Sequence, residues 1–305
     1  MAINTVKVTV NGTTVTAVSN GDGTYTASLA APNITSYNVN SGHYYPITVV
    51  ATNKAGTATT VNDQTAGLGT YLRLVVKEVT APTISVTSPT AGQYLGTASP
   101  SIQFTLVDDA NGSGVAINTL KIIVDNQTYT NTSSGVTVST ITNGYSVKCV
   151  PSALSDGQHT VKVSVSDNDG NPATSSTITF TTDTIAPTLT ITNPADNGSF
   201  VSSASLTVMG NTSDSTSGTP TITIKLNNAD QGAVTVSNGS FSKTVTLVNG
   251  ANTIVITATD KAGKVTTITR TITLDSSSPV IASVVVNPNP VNVGQNYTVT
   301  IKVTG

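Results

Sequence analysis

The stretch INTVKVTVN at residues 3–11 returns as INTLKIIVD at residues 117–125, 114 positions later. Both copies alternate apolar and polar side chains. A period of two sends one set of side chains into a core and the other into water, the pattern of a strand buried on one face. The repetition continues through a hairpin. VVATNKAGTATTV (49–61), VSVSDNDGNPATSS (163–176) and VITATDKAGKVTTITRTITL (255–274) each read as an alternating strand, a turn ending on glycine and a Thr-rich strand. The turn glycines are Gly56, Gly170 and Gly263. Glycine reaches positive φ without steric cost, which so tight a connection requires. Self-similarity on this scale makes the chain a series of small domains.

After each hairpin an acidic residue stands four positions before a proline: Glu78 and Pro82 in EVTAP, Asp183 and Pro187 in DTIAP, Asp275 and Pro279 in DSSSP. An alternating strand then runs to a second proline, as TISVTSP, TLTITNP and VIASVVVNP. Proline cannot donate to a strand ladder, so it fits a boundary. The expected division is an incomplete domain over 1–80, domains over 81–186 and 187–279, and a two-strand segment over 280–305. Pro82 to Gly170 spans 88 residues and Pro187 to Gly263 spans 76. Such lengths suit an immunoglobulin-like sandwich of about seven strands. The expected fold is all-β: tandem immunoglobulin-like β-sandwiches in an elongated array.

Composition agrees. The chain is 37% hydrophobic but 4% aromatic and 9% charged, and it lacks Trp; ordinary globular chains carry about 25% charged residues. Thr and Val suit pleated, half-buried surfaces, while Asn, Gly, Asp and Ser supply turns. The single cysteine, Cys149 in YSVKCVP, sits at an alternating position and is expected to be a small buried hydrophobe. The net charge is −2 and no basic patch is visible, so nucleic acid is not an expected partner. No run of 18 apolar residues offers a membrane span. MAINTVKVTV has neither a basic nor an apolar signal region, so it is not read as a secretory leader.

Catalytic chemistry leaves no trace. No nucleophile elbow, zinc-binding His pair or phosphate loop occurs, and no catalytic residue is named. His43 in NSGHYYP and His159 in SDGQHTV read as surface or edge residues. Calcium is the one candidate ion. SDNDGN offers Asp167, Asp169 and Asn171 as oxygen ligands, and VDDANGSG offers Asp108, Asp109 and Asn111. An EF-hand loop needs glycine sixth and glutamate twelfth, and neither is present, so a polar hairpin turn is the competing reading. The linker acids Glu78, Asp183 and Asp275 suit either calcium or capping. Five of the nine tyrosines, Tyr25, Tyr37, Tyr44, Tyr45 and Tyr71, fall in the first domain, as core filling or as a binding face.

The two ends raise a further expectation. Residues 3–56 map onto 117–170 at a constant offset. What the first domain lacks is the counterpart of 82–116, the first two strands. At the other end, VIASVVVNP resembles the first strands of the complete domains, and YTVTIKVTG resembles their second strands, SIQFTLVDD and SLTVMGNTS. A sandwich short of two strands exposes unpaired backbone and apolar side chains. A free hairpin is marginal in water, so the segment is expected to order on docking. Residues 280–305 of one molecule are therefore candidates to complete another, with Ile281, Val284, Val286, Val293, Tyr297, Val299, Ile301 and Val303 facing inward. Two other readings stand beside it: both ends are cuts in a longer array, or a different protein completes the first domain. A contact between unlike surfaces closes into a ring or runs on as a filament.

ATDKAGKVTTITRTITLD (258–275), with ATNKAG, VSDNDGN and the D-x-x-x-P linkers, resembles the bacterial and phage Ig-like repeats of the Big type. MAINTVKVTVNG with GHYYPITVVATNKAG also resembles tail-associated Ig-like proteins of phages that infect Gram-positive gut bacteria. The resemblance implies a non-enzymatic structural protein of a virion tail or baseplate, assembled in the host cytoplasm. Its partners would be further copies of itself or other virion proteins. The alternative is a piece of a secreted bacterial surface adhesin or filament subunit whose loops bind cell-surface glycan.

Overall fold

The computed structural model describes residues 2–173 and 176–305, and they are organised almost wholly as antiparallel strands. Two single 3-10 turns, Ser36–Asn38 and Gly69–Tyr71, are the helical segments among the described residues. The chain divides into two compact units: Met1–Gln93 with Ala98–Thr182, and Tyr94–Thr97 with Asp183–Gly305.

The first unit holds a single sheet followed by a two-sheet sandwich. In the single sheet, strands Thr13–Thr16, Ile3–Val10, Tyr45–Asn53 and Ala58–Val61 lie side by side in that order, and Arg73–Leu74 pairs with Tyr45–Asn53. A two-residue ladder joins Val18–Ser19 to Tyr25–Thr26. The sandwich sets Val136–Ile141, Gly144–Cys149, Ile102–Val107 and Thr83–Ser88 in one sheet. The other sheet holds Gln127–Tyr129, Val115–Val124, Gly157–Asp167 and Ser176–Thr182. Alternation determines which side chains meet between them. Ile102, Phe104, Leu106, Val147 and Cys149 come from one sheet, and Leu120, Ile122, Val124, Val161, Val163 and Phe180 from the other; all are buried. Cys149 is a small hydrophobe of this core, and burial pushes its thiol up to about 11.

The repeat read in the sequence is a repeat of strand register. Val8 faces Val49 and Val10 faces Ile47 in the single sheet. Ile122 faces Val163 and Val124 faces Val161 in the sandwich, the same pairs shifted by 114 on both strands.

The second unit contains another sandwich. One sheet orders Thr188–Asn193, Ser205–Ser213, Ser240–Thr246 and Val236–Ser237. The other orders Ser199–Val201, Val265–Leu274, Gly250–Thr259, Thr221–Leu226 and Ala229–Asp230, with Ser199–Val201 paired parallel to Val265–Leu274. Val208, Ile224, Phe241, Ile254, Ile256 and Ile272 form its core. The same unit ends in a hairpin of Val280–Asn287 and Thr298–Thr304. The sequence suggested a segment without order of its own, yet its two strands pair with each other along most of their length, a pairing that suits their β-branched residues.

The three glycine turns share one construction. Gly56, Gly170 and Gly263 lie at φ +84°, +98° and +83°. The side-chain oxygen at the head of each turn accepts the N–H four residues on: Asn53 from Thr57 (2.9 Å), Asp167 from Asn171 (2.7 Å) and Asp260 from Lys264 (2.8 Å). This local bond is why Asn or Asp heads every copy.

Candidate functional site

The single sheet presents an apolar face that its own chain leaves partly open. Val6, Val8 and Val10 stand opposite Ala51, Val49 and Ile47 on that face. Val10 is buried, but the other five are only half-buried. Their counterparts in the neighbouring sandwich, Leu120, Ile122, Val161, Val163 and Val165, are at most 3% exposed. The pairings match from Lys7 to Val10 and from Lys121 to Val124, so the difference there comes from the second layer. In the sandwich that layer is the sheet carrying Ile102, Phe104 and Leu106; in the first domain, the chain interval that holds Val136–Ile141 and Gly144–Cys149 in the sandwich holds only the small Val18–Ser19 ladder.

The C-terminal hairpin has the complementary character. Ile281 faces Val303, Val284 faces Ile301 and Val286 faces Val299, all on one side. The pairs between them, Ser283 with Lys302, Val285 with Thr300 and Asn287 with Thr298, fall on the other side. A register irregularity between Ile281 and Ser283 keeps Ile281 on the apolar side. These six apolar residues are 38–64% exposed. Of the eight residues the sequence marked as inward-facing, six therefore form one ladder. Val293 and Tyr297 lie in the connection between the strands and are also exposed.

The residues marked for calcium are placed differently from a chelating loop. Both carboxylate oxygens of Asp167 accept from Asn171, one from its backbone N–H and one from its side-chain amide (2.8 Å). Asp169 accepts from the Thr35 hydroxyl and the Glu78 N–H (3.1 Å). The Asn171 amide also donates to the Glu78 carbonyl (3.1 Å). Asp167, Asp169 and Asn171 thus tie the turn to itself and to the linker before Pro82.

The linker acids gather partners that sequence order hides. Glu78, Asp108 and Asp109 each bring an oxygen within 4.8 Å of the others, and so do Asp183, Asp214 and Asp260. Burial pushes the carboxyls of Glu78, Asp108 and Asp183 upward. Asp275 takes part in neither group, and its Oδ1 accepts from the N–H and hydroxyl of Ser277. Asp260 was visible only as the head of its glycine turn and Asp214 not at all, and neither showed a link to the Asp183 linker, since each belongs to a distant loop.

His159 corrects an expectation. It is buried rather than at an edge, with Nδ1 2.7 Å from Asp125 Oδ2 and Nε2 2.8 Å from the Ser155 carbonyl. Its burial is stable because both ring nitrogens have polar partners, one just before the strand and one 34 residues earlier. His43 is exposed and stacks on Tyr37 with ring centroids 4.2 Å apart. Of the first-domain tyrosines, Tyr45 is buried and donates to the Ile34 carbonyl, while Tyr71 is 81% exposed. Tyr44 donates to Asp63 Oδ2 (2.9 Å) with the Arg73 guanidinium 4.6 Å over its ring.

Known families match parts of the chain. Residues 103–184 match the bacterial Ig-like domain, and residues 187–276 match domain B of glucodextranase. Bacillopeptidase F of Bacillus subtilis is 35% identical over 132 residues, 43% of this chain and 9% of that protein. The chain thus spans less than a tenth of the curated relative it matches. Among solved structures, the fibronectin(III)-like modules of Clostridium thermocellum CbhA are similar at 16% identity, over 63% of this chain and 94% of theirs, with a TM-score of 0.41. Domains A168–A170 of titin are similar at 12% identity, over 88% and 85%, with a TM-score of 0.40. Set beside the strand pairings, the matches support tandem immunoglobulin-like β-sandwiches, one of them similar to the bacterial Ig-like domain and the next to domain B of glucodextranase.

Proposed function

We propose that this chain is a non-enzymatic structural protein whose copies join head to tail. The hairpin 280–305 of one copy lies on the open sheet of the next and supplies the two strands that 82–116 supply to the complete sandwich. One observation carries the reading: a half-covered apolar sheet and an exposed hairpin with a one-sided apolar ladder coexist in a single chain. Contiguous exposed apolar surface of this kind marks an interaction site. The hairpin is the favoured occupant because its sequence resembles the strands that cover the equivalent face one repeat later. Added strands contribute backbone ladder bonds for affinity and alternate side chains for specificity. The setting that suits such an assembly is a phage tail or baseplate, where a heterologous contact closes a ring or fixes a stack.

Light scattering after size exclusion tests this on the full chain across a concentration series. The mass is expected to rise above the 30.9 kDa of one chain. The double variant Val284→Asp, Ile301→Asp is expected to stay at one chain throughout. A wild-type chain that remains monomeric at every concentration, or an assembly unaffected by the double variant, would sink the proposal. The match to 9% of Bacillopeptidase F favours a second reading, in which these repeats are a piece of a longer bacterial protein; in that reading the protein stands at the cell surface and its loops contact glycan. A monomeric wild-type chain that binds on a glycan array would select it.

A further inference from the structure

Carboxylates brought together out of water need a proton or a cation. Two groups of three have buried members here: Asp183 and Asp260 are buried beside half-buried Asp214, and Asp108 is buried beside half-buried Glu78 and exposed Asp109. In the second unit, each acid spends one oxygen on backbone. Asp183 Oδ1 accepts from the Ile185 N–H (3.3 Å), Asp214 Oδ1 from Thr216 (2.8 Å) and Ser217 (2.7 Å), and Asp260 Oδ1 from Lys264 (2.8 Å). The remaining oxygens of Asp183 and Asp260 are buried with no hydrogen-bond partner, in side chains 0% and 7% exposed. In the first unit, Glu78 Oε1 accepts from the Ser113 N–H and Asp108 Oδ2 from the Gly114 N–H. Again the other oxygens, Glu78 Oε2 and Asp108 Oδ1, are buried and unpartnered, with Asp108 4% exposed. Among the described residues the ion pair within 4.0 Å is His159 with Asp125, so no Lys or Arg neutralises either group.

The two groups follow one plan. Glu78 and Asp183 each stand four residues before the linker proline. Asp108 follows the strand Ile102–Val107 directly, and Asp214 follows Ser205–Ser213. Asp260 heads its glycine turn as Asp167 heads the equivalent one. There the copies diverge: the Asn171 amide occupies the second oxygen of Asp167, and Asp109 completes the trio instead. In the second unit Lys264 takes the Asn171 position and leaves that oxygen of Asp260 free. Gly112 closes the first group, since a Cβ there would meet Asp108 Oδ2 at 2.5 Å and Glu78 Oε2 at 2.8 Å.

We infer that the chain binds two calcium ions, one held by Asp183, Asp214 and Asp260 and the other by Glu78, Asp108 and Asp109. Oxygens bound at about 2.3–2.6 Å to one calcium lie at most roughly 5 Å apart, which the 4.8 Å limit of both groups meets. The ligands are hard carboxylate oxygens on loops, which suits the flexible coordination of calcium better than the strict octahedron of magnesium. Backbone N–H bonds to the second oxygens hold each carboxylate in place, the outer support that orients metal ligands. The inference does not depend on strand exchange between copies.

Isothermal titration of the EDTA-treated full chain with calcium chloride at neutral pH tests it. Two equivalents are expected, with a melting temperature that climbs as calcium is raised. Asp183→Asn with Asp260→Asn should lose one equivalent and Gly112→Ala the other, each leaving the remaining site intact. Magnesium chloride should bind at least tenfold more weakly. No uptake at about 10 mM calcium, well above the 10⁻⁴–10⁻³ M range of weak protein sites, overturns the inference. Uptake that the substitutions leave unchanged overturns the assignment to these residues. Should a variant fail to fold, the wild-type count and its melting response still decide.

Discussion

Val8 and Ile122 occupy one position of the repeat, each in the strand that pairs with its domain's glycine-turn hairpin, but their surroundings differ. Ile122 is fully buried between two sheets, while Val8 is half-buried on an open one. Truncating a buried isoleucine to alanine removes transfer energy and leaves a cavity, costing about 2–5 kcal/mol. Val8→Ala deletes the equivalent of two methylenes, each worth about 0.8 kcal/mol when fully buried, so half-burial leaves roughly 0.8 kcal/mol. The chain holds several domains and no single unfolding energy describes it, so the assay must be local. Hydrogen exchange read by mass spectrometry on peptides covering 45–53 and 157–167 reports each sheet separately. In dilute solution, Ile122→Ala should lower protection of 157–167 strongly and Val8→Ala should lower that of 45–53 slightly. At concentrations where chains associate, the Val8→Ala penalty should grow as the hairpin of a second copy covers the face. Equal penalties at the two positions in a monomeric sample would refute the reasoning, because the first sheet would then be closed by its own chain.

Acid should stabilise the calcium-free chain. Burial holds the carboxyls of Asp183, Asp108 and Glu78 above the ordinary 3.8 and 4.5 of Asp and Glu, so the folded chain keeps protons that the unfolded chain releases. Stability from these groups is fully present at low pH and is lost as pH rises through their folded values. Asp63 and Asp275, held low by hydrogen bonds from Tyr44 and Ser277, act oppositely, but their contribution disappears only below about pH 3.8. In EDTA the melting temperature is therefore expected to fall as pH rises above the ordinary carboxylate values, and a steady rise there would contradict the account. Cys149 is fully buried with its thiol pushed up to about 11, so a maleimide at pH 8 should label it only after unfolding. Stoichiometric labelling of the native chain within minutes would show that this core opens.

The fold was legible because its signals are local. A strand of period two, a turn glycine at positive φ and a proline that cannot extend a ladder each act within a few residues. The hairpin face was legible for the same reason, since six of its residues alternate along two short strands. The acid groups were only half visible. Glu78 and Asp183 announced themselves by their spacing to proline, but the partners of Asp183 arrive from residues 214 and 260. The reading of Asp167, Asp169 and Asn171 as ligands assumed that alternating oxygens converge on an ion; the turn spends those oxygens on its own backbone and on the linker. His159 was misplaced because nothing near it in sequence indicates that Asp125, 34 residues earlier, will receive it.

By itself the sequence determined the strands, their buried sides and the repeat that relates Val8 with Val49 to Ile122 with Val163. Periodicity is a property of neighbouring residues, and hydrophobic burial only has to choose a face. Tertiary structure alone decided how completely each face is covered and which carboxylates share a space. Both depend on what a second layer or a distant loop brings within a few ångströms, and no local pattern encodes that distance.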